Sequence, residues 1–250
     1  MFSRSLRLRA SALALLVAAM PAPMAAQDHN PPAIRGTSDA DVAKARALVA
    51  QMTLAEKLDM IRGKAEPEES YQGQAGYLAG VPRLGIPSLR LADGPPGVLT
   101  RVPSSSPPAT MALAATFSRK QARLNGIVIA DEANRLGVDV ALQPFVNLDR
   151  DLTFGRAYNT YGEDPTLSGA MGASLIDGLQ SRGVMAQVKH LVGYDTEAKD
   201  VWIDDQALHE VYLAPFDDAA RAGVSSMMCS YNRLNGPYSC GSRELLTDVL

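Results

Sequence analysis

Five polar side chains fall where apolar runs give out, and their types suit one chemistry. Asp93 follows SLRLA at 88–92, Arg156 lies beyond VDVAL at 138–142, Lys189 and His190 close VMAQVKH at 184–190, and Tyr231 follows SSMMCS at 225–230. A carboxylate can accept hydrogen bonds from two hydroxyls while lysine and arginine donate to others, so such a set can hold a sugar. Other chemistries lack their parts. His29, His190 and His209 show no metal-ligand spacing, and no serine sits in a G-x-S-x-G elbow. No G-x-G-x-x-G or P-loop follows an apolar run, so a nucleotide would find no phosphate cradle. Neither a metal nor a cofactor is expected.

The elements that must place these side chains alternate in pattern. A helix begins at Ser38 with Val42, Ala45, Leu48 and Val49 as an apolar stripe, and a second at Thr53, whose spacing to Glu56 is that of a capping box. Residues 63–85, rich in Gly, Pro and Glu, read as a long loop. Strands are then expected at 88–92, 138–142, 184–190 and 225–230, and helices at 118–136, 166–180, 205–222 and 242–250. In the first of these helices Leu124, Ile127, Val128 and Ala130 line one side. Asp164 before Pro165 reads as the N-cap of the second.

Near-continuous apolar strands separated by helices predict a parallel sheet covered by helices. Between an open sheet and a closed barrel, the missing phosphate cradle favours the N-terminal part of a (β/α)8 TIM-type barrel, with about four strand-helix units present. In a barrel, functional residues sit at the C-terminal ends of the strands, which is where all five lie. Four units and an uncapped last helix lead to the expectation that 38–250 is an incomplete barrel domain.

The bulk composition of the 250 residues, 46% hydrophobic and 20% charged, permits a sizeable core and excludes disorder throughout. A net charge of -3 without a basic run excludes an electrostatic footprint for nucleic acid or anionic membrane. Arg4, Arg7 and Arg9 precede a short apolar run ending near Met20, and small residues Ala25 and Ala26 follow. That pattern reads as a cleaved signal peptide over 1–26, too short in its apolar part for a membrane anchor. The polar, proline-containing stretch 27–37 reads as an extended lead-in, and the protein is expected to be exported to a periplasmic or extracellular compartment. Cys229 and Cys240 are then either a disulfide closing a short loop or two free thiols, and spacing alone leaves both open.

Six segments in order carry a resemblance. RLADGPPGV (90–98), PFVNLDRD (144–151), GRAYNTYGEDP (155–165), GVMAQVKH (183–190), LHEVYLAPF (208–216) and MMCSYNRLNGPYSC (227–240) resemble the successive signatures of glycoside hydrolase family 3, β-glucosidase-like. The resemblance implies a retaining hydrolase of O-glycosidic bonds acting on a carbohydrate substrate. Asp93 would grip two sugar hydroxyls, Arg156, Lys189 and His190 would hold others, and Tyr231 would stand beside the nucleophile. It also implies that Cys229 and Cys240 are joined. Retaining hydrolysis needs a nucleophile and an acid/base about 5 to 5.5 Å apart. In the family the nucleophile lies in an S-D-W-like motif after the next strand and the acid/base is a Glu of a following domain; no S-D-W occurs here, so both are expected beyond Leu250 and the chain alone is expected to be inactive. Alternatives are a non-catalytic sugar-binding truncation product and a β-xylosidase-type member of the family.

Several positions depart from the pattern or stay structural. Leu99 stands where an arginine often follows D-G-P-x-G-V, with Arg101 two residues on. LVGYDTEAKD replaces the commoner F-x-x-N-x-Q-E after Lys189-His190, and the loop histidine of the amino-sugar branch is missing, which disfavours that substrate class. Asn147 and Arg150 are expected to tie down the loop after the second strand rather than line the pocket. Trp202 is either a sugar-stacking wall or a packed loop anchor, while Lys199 and Asp200 are expected to be solvated.

Overall fold

The computed structural model describes residues 38–151 and 153–249. The signal peptide read at 1–26, and the lead-in at 27–37 with His29, lie outside the described residues. Two helices come first, α1 (Asp39–Gln51) and α2 (Leu54–Arg62). Each opens on a capping box, Ser38 with Asp41 and Thr53 with Glu56, in which side chain and backbone satisfy each other's free donors. Neither helix buries a residue, and the apolar side chains Val42, Val49, Leu54, Leu58 and Ile61 are exposed.

The stretch expected to be one long loop contains a strand. β1 (Gly76–Leu78) pairs antiparallel with β2 (Leu89–Asp93), Gly76 opposite Leu91 and Leu78 opposite Leu89. Three residues beginning with glycine carry too little alternation to announce a strand. After α3 (Thr110–Ala114) and α4 (Arg119–Arg135), β3 (Val140–Leu142) joins β2 in parallel. Then follow α5 (Pro165–Gln180), β4 (Met185–Leu191), β5 (Asp200–Val201), α6 (Asp205–Ala207), α7 (Ala214–Arg221), β6 (Ser226–Cys229) and β7 (Arg233–Leu234). The main sheet runs β1-β2-β3-β4-β6, parallel from β2 onward, so the four expected strands lie side by side in chain order. A curled sheet with its helices outside is the half-barrel the alternation predicts.

The core fills the space between sheet and helices. Ala92, Ala141, Ala186 and Val188 project from the strands against Ile129, Ala130, Leu175, Ile176, Leu179 and Phe216 from the helices. At roughly 25 cal/mol per Å² of apolar surface removed from water, such a layer is the main stabilising term of the fold. The buried face of α4 differs from the expected one: Ala122, Gly126, Ile129, Ala130 and Ala133 face inward, while Leu124 and Val128 are exposed. The reason is backbone contact. A Cβ on Gly126 would fall 2.4 Å from the carbonyl oxygen of Leu175, and one on Gly178 would fall 2.2 Å from that of Arg123. α4 and α5 therefore approach through their small residues, a preference that hydropathy does not register.

Asp164 caps α5 as expected, accepting from the Leu167 N–H at 2.8 Å, with Pro165 at the first helical position. The helix expected at 205–222 is interrupted: α6 widens into a π turn over Leu208–Tyr212, and α7 restarts just before Pro215. Proline has no N–H to extend the ladder, which marks the break. Residues Glu244–Val249, expected as α-helix, likewise take wide π turns.

Candidate functional site

The five side chains singled out by position stand on the C-terminal ends of β2, β4 and β6 and in the loop after β3. Lys189, at the end of β4, is only 2% exposed and donates from Nζ to Oδ1 of Asp93, at the end of β2, at 2.7 Å. The Gly94 N–H donates to the same oxygen at 2.9 Å. Both bonds fall on Oδ1, so Oδ2 carries neither, and the Asp93 side chain is half exposed. An ammonium this buried is tolerable because it is paired.

The electrostatics follow from that pairing. Burial pushes the Asp93 carboxyl up, yet the Lys189 hydrogen bond and charge, the Gly94 N–H and the nearby Arg156 outweigh it and hold the group below the usual carboxylate range. Burial pushes Lys189 down, and Arg156 adds to this, while Asp93 opposes both. His190 is held down at about 3, by burial first and then by the Lys189 and Arg156 cations, so its imidazole is uncharged near neutral pH. Its Nδ1 finds no partner among the described residues.

β4 is irregular at this point. Its pairing with β6 shifts between Lys189 and Leu191, which breaks the strict alternation of faces and lets consecutive residues belong to one cluster. Asn147 fixes the result: its Oδ1 accepts from the His190 N–H at 2.7 Å and its Nδ2 donates to the His190 carbonyl at 2.8 Å. The expected loop-tying role of Asn147 is thus aimed at the site itself. The His190 ring packs edge-on against Phe145, centroids 4.8 Å apart, and lies 5.8 Å from the ring of Tyr231. Tyr231 is 70% exposed, at the rim.

Arg156 completes the group. Its Cζ lies 4.9 Å over the Phe145 ring, and its Nε donates to Asn159 Oδ1 at 3.3 Å. Asn159 is buried and donates to the Pro95 carbonyl at 2.6 Å, tying Arg156 to the turn after Asp93. The supporting shell of Phe145, Phe154, Asn159 and Tyr194 was not singled out from the sequence. Its one sequence signal is position: Phe145 and Asn159 lie within two of the six segments, Phe154 directly before one, and Tyr194 four residues after another.

The remaining candidates divide. Arg150 stands over the Tyr212 ring at 5.8 Å and acts on Asp195, binding the loop after β3 to the segment after β4. Arg101 sits over the Tyr71 ring at 4.9 Å, so its guanidinium is engaged away from Asp93, while Leu99 pairs its N–H with the Asp93 carbonyl at 3.0 Å. Trp202 is 75% exposed, which removes the packed-anchor reading. Lys199 and Asp200 are exposed as expected, although Asp200 also belongs to the small β5–β7 ribbon, which sequence patterning did not show. Cys229 and Cys240 form a disulfide, Cα atoms 5.2 Å apart, flanking the loop that carries Tyr231. A cavity of about 310 Å³ beside β1, lined by Lys64, Glu66, Tyr71, Gln74 and Tyr77, contains none of the five residues. The site is defined by convergence of side chains on strand ends, not by that hollow. Among the described residues no group of three or more metal-ligating side chains occurs, and no helix is long and apolar enough to cross a membrane.

Comparison with known proteins places this geometry. β-Glucosidase 2 of Saccharomycopsis fibuligera is 40% identical over 228 residues, covering 83% of this chain and 26% of that protein. β-Glucosidase A of Aspergillus kawachii is 37% identical over 221 residues, 81% of this chain and 25% of that one. Among solved structures, a β-glucosidase from Streptomyces venezuelae in complex with D-glucose superposes with a TM-score of 0.78 at 40% identity, covering 82% of this chain and 27% of its own. β-Glucosidase 3B of Thermotoga neapolitana in complex with glucose gives 0.77 at 34% identity, covering 83% and 32%. The chain thus spans about a quarter of the length of these curated relatives. Residues 21–250 match the model of the glycosyl hydrolase family 3 N-terminal domain, and with the half-barrel in place the chain belongs to that family.

Proposed function

We propose that this chain supplies the sugar grip of a retaining β-glucosidase that releases terminal sugars from β-glucosides, in an exported protein. The observation that carries the reading is the Asp93–Lys189 pair: both hydrogen bonds to the carboxylate fall on Oδ1, so a preoriented Oδ2 stays able to accept from two hydroxyls of a sugar. Neutral His190 adds a donor or acceptor without adding charge, Arg156 adds donors, and Tyr231 stands at the rim. Two of the relatives were solved with glucose bound, which supports a sugar ligand here. The nucleophile and the acid/base are assigned to neither Asp93 nor any other described carboxylate, so the reading gives this chain substrate binding and orientation rather than bond cleavage. The arginine-led apolar run before Ala26 supports export.

The test uses the protein as expressed from its gene, with an aryl β-glucoside as substrate and Asp93→Asn as the variant. Two weakened hydrogen bonds to a charged group, roughly 1.5 to 3 kcal/mol each, should lower kcat/KM by about 10² to 10⁴ while the fold persists. Turnover unchanged by Asp93→Asn would overturn the reading, and glucose binding without any turnover would favour the binding-only alternative. Aryl β-xyloside run in parallel separates the two sugar preferences. Fractionation of cells expressing the protein with and without residues 1–26 tests export.

A further inference from the structure

The loop after β4 puts a tyrosine under the site. Tyr194 is nearly buried, and its ring meets those of His190 at 4.8 Å, Phe154 at 5.6 Å, Tyr231 at 5.8 Å and Phe145 at 6.3 Å between centroids. The Arg156 guanidinium lies against two of these faces, 4.9 Å from the Phe145 centroid and 5.8 Å from that of Tyr194. The Tyr194 hydroxyl donates to Glu197 Oε2 at 3.0 Å, which fixes the ring's orientation from its far end. No carboxylate lies within ion-pair distance of Arg156 among the described residues. Apart from the Asn159 bond and a polar contact with the Tyr194 hydroxyl, the guanidinium is held by ring faces, which leave its charge and its remaining donors uncommitted, whereas a bidentate carboxylate would consume them.

From this geometry we infer that Tyr194 is the positioning residue of the site, an aromatic wedge that holds Arg156 and His190 together in the arrangement that receives the sugar. The inference rests on the sugar-gripping reading of Asp93, Lys189, His190 and Arg156. Tyr194 stands at the asparagine position of the F-x-x-N-x-Q-E pattern that LVGYDTEAKD replaces, and an asparagine has no ring face to offer. Its neighbour Asp195 is buried and interacts with Tyr212 and Arg150, so the wedge is anchored on its C-terminal side as well.

The experiment measures kcat and KM on an aryl β-glucoside, and inhibition by D-glucose, in the protein as expressed from its gene. Tyr194→Leu removes the ring and should raise KM and the glucose inhibition constant roughly 5- to 30-fold, the range of a partly desolvated cation–ring contact, with kcat within about threefold. Tyr194→Phe keeps the ring and should stay within about threefold of the parent in KM. A cycle with Arg156→Lys should be non-additive, because the contact between flat guanidinium and ring is lost in either variant. If Tyr194→Leu fails to fold, Tyr194→Met, whose longer unbranched chain adapts better to the space of the ring, is read in the same way. Unchanged KM in Tyr194→Leu, equal damage by Tyr194→Phe, or full additivity in the cycle would each overturn the inference. Asp93→Asn run alongside distinguishes the failures: if it too leaves turnover unchanged, the sugar grip itself is misassigned, and if it abolishes turnover while Tyr194→Leu does nothing, only the wedge falls.

Discussion

The N-terminal helices and the β4 end of the sheet both contain a short ion pair, and the two pairs live in different physics. Arg83 Nη2 meets Glu56 Oε2 at 2.6 Å beside α2, and Lys189 Nζ meets Asp93 Oδ1 at 2.7 Å. The first is screened on an exposed surface, where such pairs contribute about 0 to 1 kcal/mol. The second has one partner at 2% exposure, so its lysine depends on the carboxylate for nearly all the stabilisation that water once gave. Equal distances therefore say little. What surrounds a pair decides whether losing one partner matters.

The largest expected effect exploits that asymmetry. Asp93→Ala strands a buried ammonium and should destabilise the protein by about 3 to 5 kcal/mol in denaturant unfolding. Lys189→Met should cost clearly less, because the carboxylate it leaves behind is already half in solvent. Arg83→Ala, beside α2, should fall within about 1 kcal/mol of the parent. Equal losses from Asp93→Ala and Arg83→Ala would erase the comparison.

His190 sharpens it through pH. Its folded value is about 3 against an ordinary 6.5, so between those limits the unfolded chain binds the proton and the folded chain does not. Stability from this residue is therefore complete above about 6.5 and falls as the pH drops, with a limiting slope of ~1.4 kcal/mol per pH unit. Asp93 acts in the same direction but lower down: its folded value lies below 3.8, so its contribution is present above that and lost as the pH falls through the folded value. Unfolding measured between pH 4.5 and 6.5 reads the histidine against the opposite slope of Asp195, whose carboxyl burial holds above the usual range, and His190→Gln should remove the histidine's part of that limb. A variant that keeps the parent's slope would show that the imidazole is charged in the fold.

Next in size is the contact between α4 and α5, which has no counterpart in α1 and α2. Gly126→Ala drives a methyl toward the Leu175 carbonyl and should cost about 1 to 3 kcal/mol, whereas Ile61→Ala on exposed α2 should stay within about 0.5. A Gly126→Ala variant with the parent's Tm would mean that the helices separate freely.

This contrast also explains what the sequence could convey. Capping boxes at Ser38 and Thr53 and the N-cap Asp164 are local chemistry within three residues, and each was legible. The strand order and the five strand-end residues followed from apolar runs and their polar stops, which are also local. What was missed depends on neighbours distant in sequence. The inner face of α4 is chosen by the backbone of α5, β1 exists because β2 pairs with it, and the Phe145–Phe154–Tyr194 floor assembles across two loops. The roles of the five residues came from resemblance, since an Asp before Gly94 reads by itself as a turn.

The smallest effect tests whether α2 is energetically its own unit. Thr53→Ala removes the side-chain acceptor for the Glu56 N–H and should cost the helix start about 0.5 to 2 kcal/mol. Because α2 buries none of its residues, that loss should stay local. Amide exchange at Leu54–Glu56 should quicken by roughly 2- to 30-fold, while exchange in α5 and the global Tm remain unchanged. Asp164→Ala, which removes the cap of the buried helix α5, is the matched control, and there the same chemical loss should appear in the global transition. A Tm shift in Thr53→Ala as large as that in Asp164→Ala would show that the exposed helices are coupled to the core through Arg83, whose guanidinium spans Glu56 and the Gln51 carbonyl. In that case the surface pair would be a link between two cooperative units, and the difference between the two ion pairs would be one of degree.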